Sequence, residues 1–206
     1  MNYLKQIWSS KDLRNKILFT IFILVISRLL AHISIPGANL EALKLLFSQN
    51  QLLGMFSLLT GGSAENFSII LMGLSPYINA SIIIQLLTVI VPRLENISKE
   101  GEQGRRTLNQ YTRLLTIPIA FIQSYGMIAL LNSQSGIPIV ENFSSASVVL
   151  PIMLTVMTGS LLLMWLGELI TERGLGNGVS ILIFAGIISS IPTVIGQSLA
   201  LAQESS

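Results

Sequence analysis

The chain has 206 residues, of which 51% are hydrophobic and 11% charged, against about 25% charged in an ordinary soluble domain. With a mean hydropathy of +0.70, too little polar surface is left to coat a particle in water, so the sequence reads as a membrane protein. The balance of 12 Lys and Arg against 10 Asp and Glu is too even to point to nucleic acid as a direct partner. The absence of cysteine excludes disulfides, thiolate metal centres and thiol catalysis, and the single histidine, His32, excludes a multi-histidine metal site.

A helix crosses about 30 Å of hydrocarbon with about 20 apolar residues. Five stretches qualify in chain order: residues 17–36, 67–92, 112–132, 148–169 and 179–196. The first is too long for a cleaved signal peptide, and no small-residue cleavage site follows it. Between the first and second lies another apolar run, residues 52–59, stopped by Gly61 and Gly62. As a helix it would rise only about 12 Å. It is expected to re-enter the membrane or lie at its surface, which requires protein or a water-filled cavity around it.

Basic residues set the orientation. Lys5, Lys11, Arg14 and Lys16 precede the first span, Arg93, Lys99, Arg105, Arg106 and Arg113 follow the second, and Arg173 follows the fourth. The alternate loops hold only Lys44. This pattern predicts a cytoplasmic N-terminus and an external C-terminus, with residues 93–113 as a cytoplasmic basic loop. The odd number of spans suggests a piece of a longer architecture or a half-sized unit that needs a partner.

Enzyme chemistry fails on inventory. There is no G-x-S-x-G, no paired histidines on a helix, no P-loop, and Asp12 in the N-terminal tail is the sole aspartate. The cluster Gly174-Leu-Gly-Asn-Gly178 follows a membrane helix rather than a strand, so it reads as a turn between helices and not as a phosphate cradle. Neither cofactor nor metal is expected.

Charges near the membrane carry more information. Arg28 sits near the middle of the first span, where a charge costs about 2.5–3.5 kcal/mol on insertion scales. It is either a gating charge or, more commonly, a structural arginine bonded to carbonyls or polar side chains inside the bundle. His32 reads as interfacial, and Glu168 as a solvated residue at the cytoplasmic end of the fourth span. No carboxylate lies inside a span, which disfavours an ion-coupled transporter. In the second span, Pro76 is expected to bend the helix. Ser75, Asn79, Ser81 and Gln85 make one stretch polar, either as contacts between helices or as a face that parts from its neighbour.

Several long motifs are recognisable. Residues 54–62 with 67–92, the stretch Lys99-Glu-Gly-Glu-Gln-Gly-Arg-Arg106 running into Asn109-Gln-Tyr-Thr-Arg113, the stretch from Met164-Trp-Leu-Gly-Glu to Gly174-Leu-Gly-Asn-Gly178, and Ile35-Pro-Gly37 all resemble the SecY family of protein-conducting channels. The resemblance covers the whole chain but only the N-terminal half of the family. It implies an all-α membrane fold, with five transmembrane helices and a short re-entrant plug helix forming one half of an inverted-repeat, ten-helix channel.

By that resemblance, Leu74, Ile78, Val179 and Ile183 are the aliphatic pore ring, which dewets yet deforms around a passing chain. Residues 52–62, with Leu53, Gly54, Met55, Phe56, Ser57, Leu58 and Leu59, are the plug. Asn79, Ile82 and Gln85 are one side of a lateral gate, and Lys99, Arg105, Arg106 and Arg113 the loop that meets a cytoplasmic partner. The implied partners are translocating polypeptides and signal sequences, small SecE-like and SecG-like subunits, the motor ATPase SecA or a ribosome, the lipid bilayer, and a complementary C-terminal half or a second copy. The implied location is the bacterial cytoplasmic membrane. The rival readings are a self-assembling half-channel or scaffold and, more weakly, an inverted-repeat secondary transporter.

Overall fold

A computed structural model describes residues 10–50, 53–55, 57, 60–135 and 138–204, with side chains described as far as residue 192. The helices whose bounds are described are α1 (Lys11–Ala31), α2 (Leu40–Gln49), α3 (Ser75–Ile90), α4 (Pro92–Lys99), α5 (Glu102–Gln134), α6 (Ala146–Arg173) and α7 (Gly178–Glu204). No strand occurs among the described residues, only isolated bridges pairing Ser34 with Ser68 and Ala38 with Val140. By length and composition α5 and α6 can each cross a membrane, and α3 with α4 qualify together as a bent pair. The fold is thus all-helical and membrane-type.

The second span departs from the expectation of one helix over residues 67–92. Residues 67–74 form turns, and α3 starts at Ser75. The cause lies in the backbone: Phe67 adopts φ 44°, Ile35 N–H donates to Phe67 O at 2.9 Å, and Ile69 N–H donates to Ile33 O at 3.0 Å. Residues 33–35 and 67–69 therefore satisfy one another's polar groups in place of helical bonds. Pro76 consequently falls in the first turn of α3, where its missing N–H is not needed, and the expected kink at that residue is absent. The bend comes at the other end. Val91, held extended by the ring of Pro92, separates α3 from α4, and the two helices turn by 102°.

Residues 93–113 are likewise no open loop. They form α4, a turn at Gly101 (φ 72°) and the first turns of α5. A methyl group at Gly104 would lie 1.8 Å from Ile97 O, so only glycine lets α4 press against α5 here. The first span also ends early, at Ala31, where the His32 ring donates from Nδ1 to Arg28 O at 2.9 Å. This bond closes the last turn of α1.

Helix α6 is the hub, touching α1, α3, α5 and α7. Helix α5 buries Thr112, Thr116, Ala120, Ser124 and Ile128, one every fourth residue. Such small side chains bring helices close, and the hydroxyls of Thr112, Thr116 and Ser124 return to carbonyls of their own helix. Two apolar clusters result. One joins α2, the end of α5 and the start of α6 around Phe67, Leu71, Leu131 and Val156. The other joins α1, the second half of α6 and the start of α7 around Ile23, Leu74, Ile170 and Leu182. The non-helical segment 67–74 contributes to both.

Candidate functional site

Beside the second cluster lies a cavity of about 600 Å³. Its walls are α1 (Ile21, Val25, Arg28), residues 60–75 (including Thr60, Ser63, Leu74), Ile78 of α3, and α7 (Ile183, Ile187, Ser189). The lining is aliphatic with scattered hydroxyls, and Arg28 is its only charged member among the described residues.

Of the four residues read as a pore ring, the structure brings Leu74, Ile78 and Ile183 onto this cavity, from positions more than 100 apart in the chain. Leu74 is buried and precedes α3 as its N-cap, while Ile78 follows one turn later and is 37% exposed. Val179 does not join them. It sits in the first turn of α7 against Gly167, where its Cγ2 would meet a methyl group at 3.3 Å. The four-residue spacing to Ile183 is intact, but α7 approaches α6 so closely at this end that Val179 packs between the helices. A Cβ on Gly178 would lie 1.9 Å from Gly167 O.

The turn before α7 is held by side-chain oxygens. Thr171 Oγ1 accepts from Gly178 N–H at 2.9 Å, Thr20 Oγ1 accepts from Leu175 N–H at 3.3 Å, and Asn177 Oδ1 caps Ser180 N–H at 3.1 Å. The glycine cluster is thus a turn locked to α1 and α6.

In the segment read as a plug, Leu53, Gly54, Met55 and Ser57 are helical, with Leu53 and Ser57 buried and Met55 exposed. Phe56, Leu58 and Leu59 lie outside the described residues. The run closes in a knot of local bonds: Gly62 N–H and Thr60 Oγ1 both donate to Ser57 O, at 2.8 and 3.1 Å, and Ser63 Oγ donates to Thr60 O at 3.0 Å. From outside, Arg28 Nη1 donates to Gly61 O at 2.7 Å. Gly61 holds φ +65°, which L side chains rarely adopt.

On α3, Ile82 and Gln85 are exposed and Asn79 is half-buried. Gln85 donates to Ser81 Oγ on the same helix at 3.3 Å. With Leu86 and Val89, Ile82 and Gln85 form an exposed stripe.

The basic residues divide. Lys99 pairs with Glu95 at 2.6 Å and Arg106 with Glu102 at 2.8 Å, each one turn away on its own exposed helix. Arg113 instead reaches across to Glu168 on α6, Nε to Oε1 at 2.5 Å, where the Glu168 side chain is only 14% exposed. Glu168 is therefore paired rather than solvated, and Arg113 braces two helices. Among the described residues Arg105 has no ion-pair partner and is exposed. Sequence reasoning missed the α5–α6 brace because its residues lie 55 apart in the chain.

Comparison with known proteins agrees with this architecture. The SecY family model matches residues 68–205. The protein translocase subunit SecY of Pseudomonas aeruginosa is 43% identical over 203 residues, covering 98% of this chain and 44% of that relative. The SecY subunit of Bacillus subtilis is 50% identical over 190 residues, covering 90% of this chain and 43% of that relative. Among solved structures, Sec61 in the canine ribosome-channel complex from the endoplasmic reticulum aligns with a TM-score of 0.57 at 19% identity, over 86% of this chain and 37% of that one, a likeness of fold. The chain spans rather less than half the length of these curated relatives and, on family model and identity together, belongs to the SecY family.

Proposed function

We propose that this chain is the N-terminal half of a SecY-type protein-conducting channel in the bacterial cytoplasmic membrane. In this reading it crosses five times, with its N-terminus cytoplasmic, and lets unfolded secretory polypeptides across and apolar segments sideways into lipid. The observation that carries the reading is the meeting of Leu74, Ile78 and Ile183 on one cavity beside the short segment ending at Gly62. Branched aliphatic side chains repel water and ions from a narrow passage, offer a moving chain no hydrogen bonds to stall on, and change rotamer as it passes. Val179, packed on α6, is left out of this ring.

The role is passive and needs no catalytic residue or cofactor; a cytoplasmic motor of the SecA kind or a ribosome would supply the work. The exposed arm of α4 and the start of α5, with Lys99, Arg105 and Arg106, is the natural place for such a partner. The uncovered stripe Ile82, Gln85, Leu86 and Val89 would face lipid or the complementary half, and small SecE-like and SecG-like subunits would complete the assembly. An inverted second copy is a poorer substitute for that half. The one-sided distribution of basic residues opposes it, each being worth about 1 kcal/mol near an anionic surface.

The test uses the absence of native cysteine. Single cysteines at Ile78, Ile183 and Ile122 are introduced into the chain assembled with a complementary half. Each is then challenged with an arrested polypeptide carrying one cysteine. Disulfide adducts are expected at Ile78 and Ile183 and not at Ile122, which is 70% exposed on α5. Equal adduct formation at all three positions would reject the reading.

A further inference from the structure

Arg28 is the charge that composition alone leaves unexplained. It sits in the last turn of α1, lines the cavity, and has no carboxylate within ion-pair distance among the described residues. Its guanidinium donates instead to a backbone carbonyl, that of Gly61, at 2.7 Å. Gly61 is wedged on both sides. A methyl group added there would stand 2.8 Å from Arg28 Nη1, 2.9 Å from Gly186 O and 3.1 Å from Ser189 Oγ of α7. Ser189 is turned back onto Gly186 O at 2.6 Å, which leaves room for the turn.

The described bonds of the turn at residues 60–63 run to Ser57 O, to Thr60 O and from Ser68 N–H, all within the same stretch of chain. The described side-chain bond that ties it to a helix is the one from Arg28. Such a bond is charge-assisted, and in a cavity poor in competing polar groups it is stronger than a neutral one. A cation left without an acceptor in an apolar wall is costly, so the bond opposes departure of the turn from both sides.

We propose that Arg28 is a latch: a positioning residue that seats the turn at residues 60–63 between α1 and α7 and yields it when another backbone carbonyl is offered in the cavity. An extended polypeptide presents a carbonyl at every residue, all of the same acceptor chemistry as Gly61 O. The handover breaks one N–H···O bond and makes another, with no proton moved. This mechanism deepens the channel reading and rests on it.

The test is the accessibility of Ser63→Cys to a water-soluble maleimide in membrane vesicles. Ser63 is 1% exposed and is the last residue of the turn, and Ser124→Cys, buried on α5, reports the rest of the fold. Arg28→Met is expected to raise Ser63→Cys labelling at least about ten-fold, the scale of one lost charge-assisted bond. Arg28→Lys, which keeps a charged donor, should restore most of the protection, with Ser124→Cys shielded throughout. Labelling in Arg28→Met within about two-fold of the parent would overturn the latch.

If Arg28→Met bares Ser124→Cys as well, Gly61→Ala in an Arg28 background decides. Its methyl must displace either the guanidinium or the turn, so a protected Ser63→Cys overturns the proposal, and an exposed one with Ser124→Cys shielded supports it. Ion conductance of the same assembled protein separates the two readings. A released turn with no gain in conductance leaves the latch standing and rejects the channel.

Discussion

The two ends of α6 face different surroundings. Around its first half, Val149, Ile152, Met153 and Val156 are sealed against α2, α5 and the segment 67–72, with Leu131, Leu43 and Phe67 fully buried. Around its second half, Leu163 and Leu182 are buried yet line an open cavity, beside Ile183 and Ile187 that are partly exposed. Both halves are rich in Leu, Ile and Met. What differs is the company: Arg28, Thr60, Ser63 and Ser189 gather on the cavity side. Apolar content tells a membrane chain from a soluble one, whereas the few polar side chains tell its wall from its core.

Substitutions can break that comparison. The largest effect is expected at the sealed end: Leu131→Ala should cost about 3 kcal/mol, since a fully buried leucine leaves a void its neighbours fill only in part. Reversible unfolding in mixed detergent measures it. Gly159→Ala should come next, at about 2 kcal/mol, because its methyl would stand 1.8 Å from Ile69 O and must push the backbone of residues 67–74 aside. A loss no larger than that of an exposed alanine substitution would mean that α6 does not press on that segment.

Glu168→Gln should cost about 1 kcal/mol by leaving the Arg113 guanidinium with a neutral partner, and a double-mutant cycle with Arg113→Gln should return a coupling of that order. On the cavity, Ile183→Ala should cost less than about 1 kcal/mol, for its surroundings are already open. A loss matching that of Leu131→Ala would erase the distinction between the two ends. The smallest effect is expected at Lys99→Ala, below about 0.5 kcal/mol, because its pair with Glu95 is exposed and spans one turn.

The apolar stretches were legible because long hydrophobic runs have few other homes, and the short run before Gly61 was legible as unable to cross. What hydropathy could not show was where an apolar run ceases to be a helix. Residues 67–92 read as one span, yet the pairing of residues 67–69 with 33–35 removes eight residues from its helix. The sequence held a usable sign: Gly73, which takes φ 56°, followed by Ser75-Pro76, reads as a helix start rather than a kink.

Helix α2 was passed over for a different reason. It is short and amphipathic, buries Ala42, Leu43, Leu46 and Phe47, and announces itself only through the Asn39 cap on Ala42 N–H. Val179 shows the limit of spacing arguments. A four-residue interval puts two side chains on one helix face, but whether that face meets a cavity or a neighbour depends on how close the helices come, here set by Gly167 and Gly178. Arg28 was visible as an anomaly, and its acceptor was not, because a backbone carbonyl 33 residues away leaves no mark in the sequence.

The length of α5 has a mechanical side. Its 33 residues make a rod about 50 Å long, whereas the hydrocarbon layer is about 30 Å thick. The surplus of about 20 Å falls at the polar end that carries Glu102, Arg105 and Arg106, where α4 is clamped alongside at Gly104. Rod and clamp are continuous with the buried stripe from Thr112 to Ile128, and Pro118, within that stripe, is the point where the rod can bend. A push on the protruding tip is therefore expected to reach the Arg113 brace on α6, which lies on the tip's side of Pro118, before it reaches the rest of the helix.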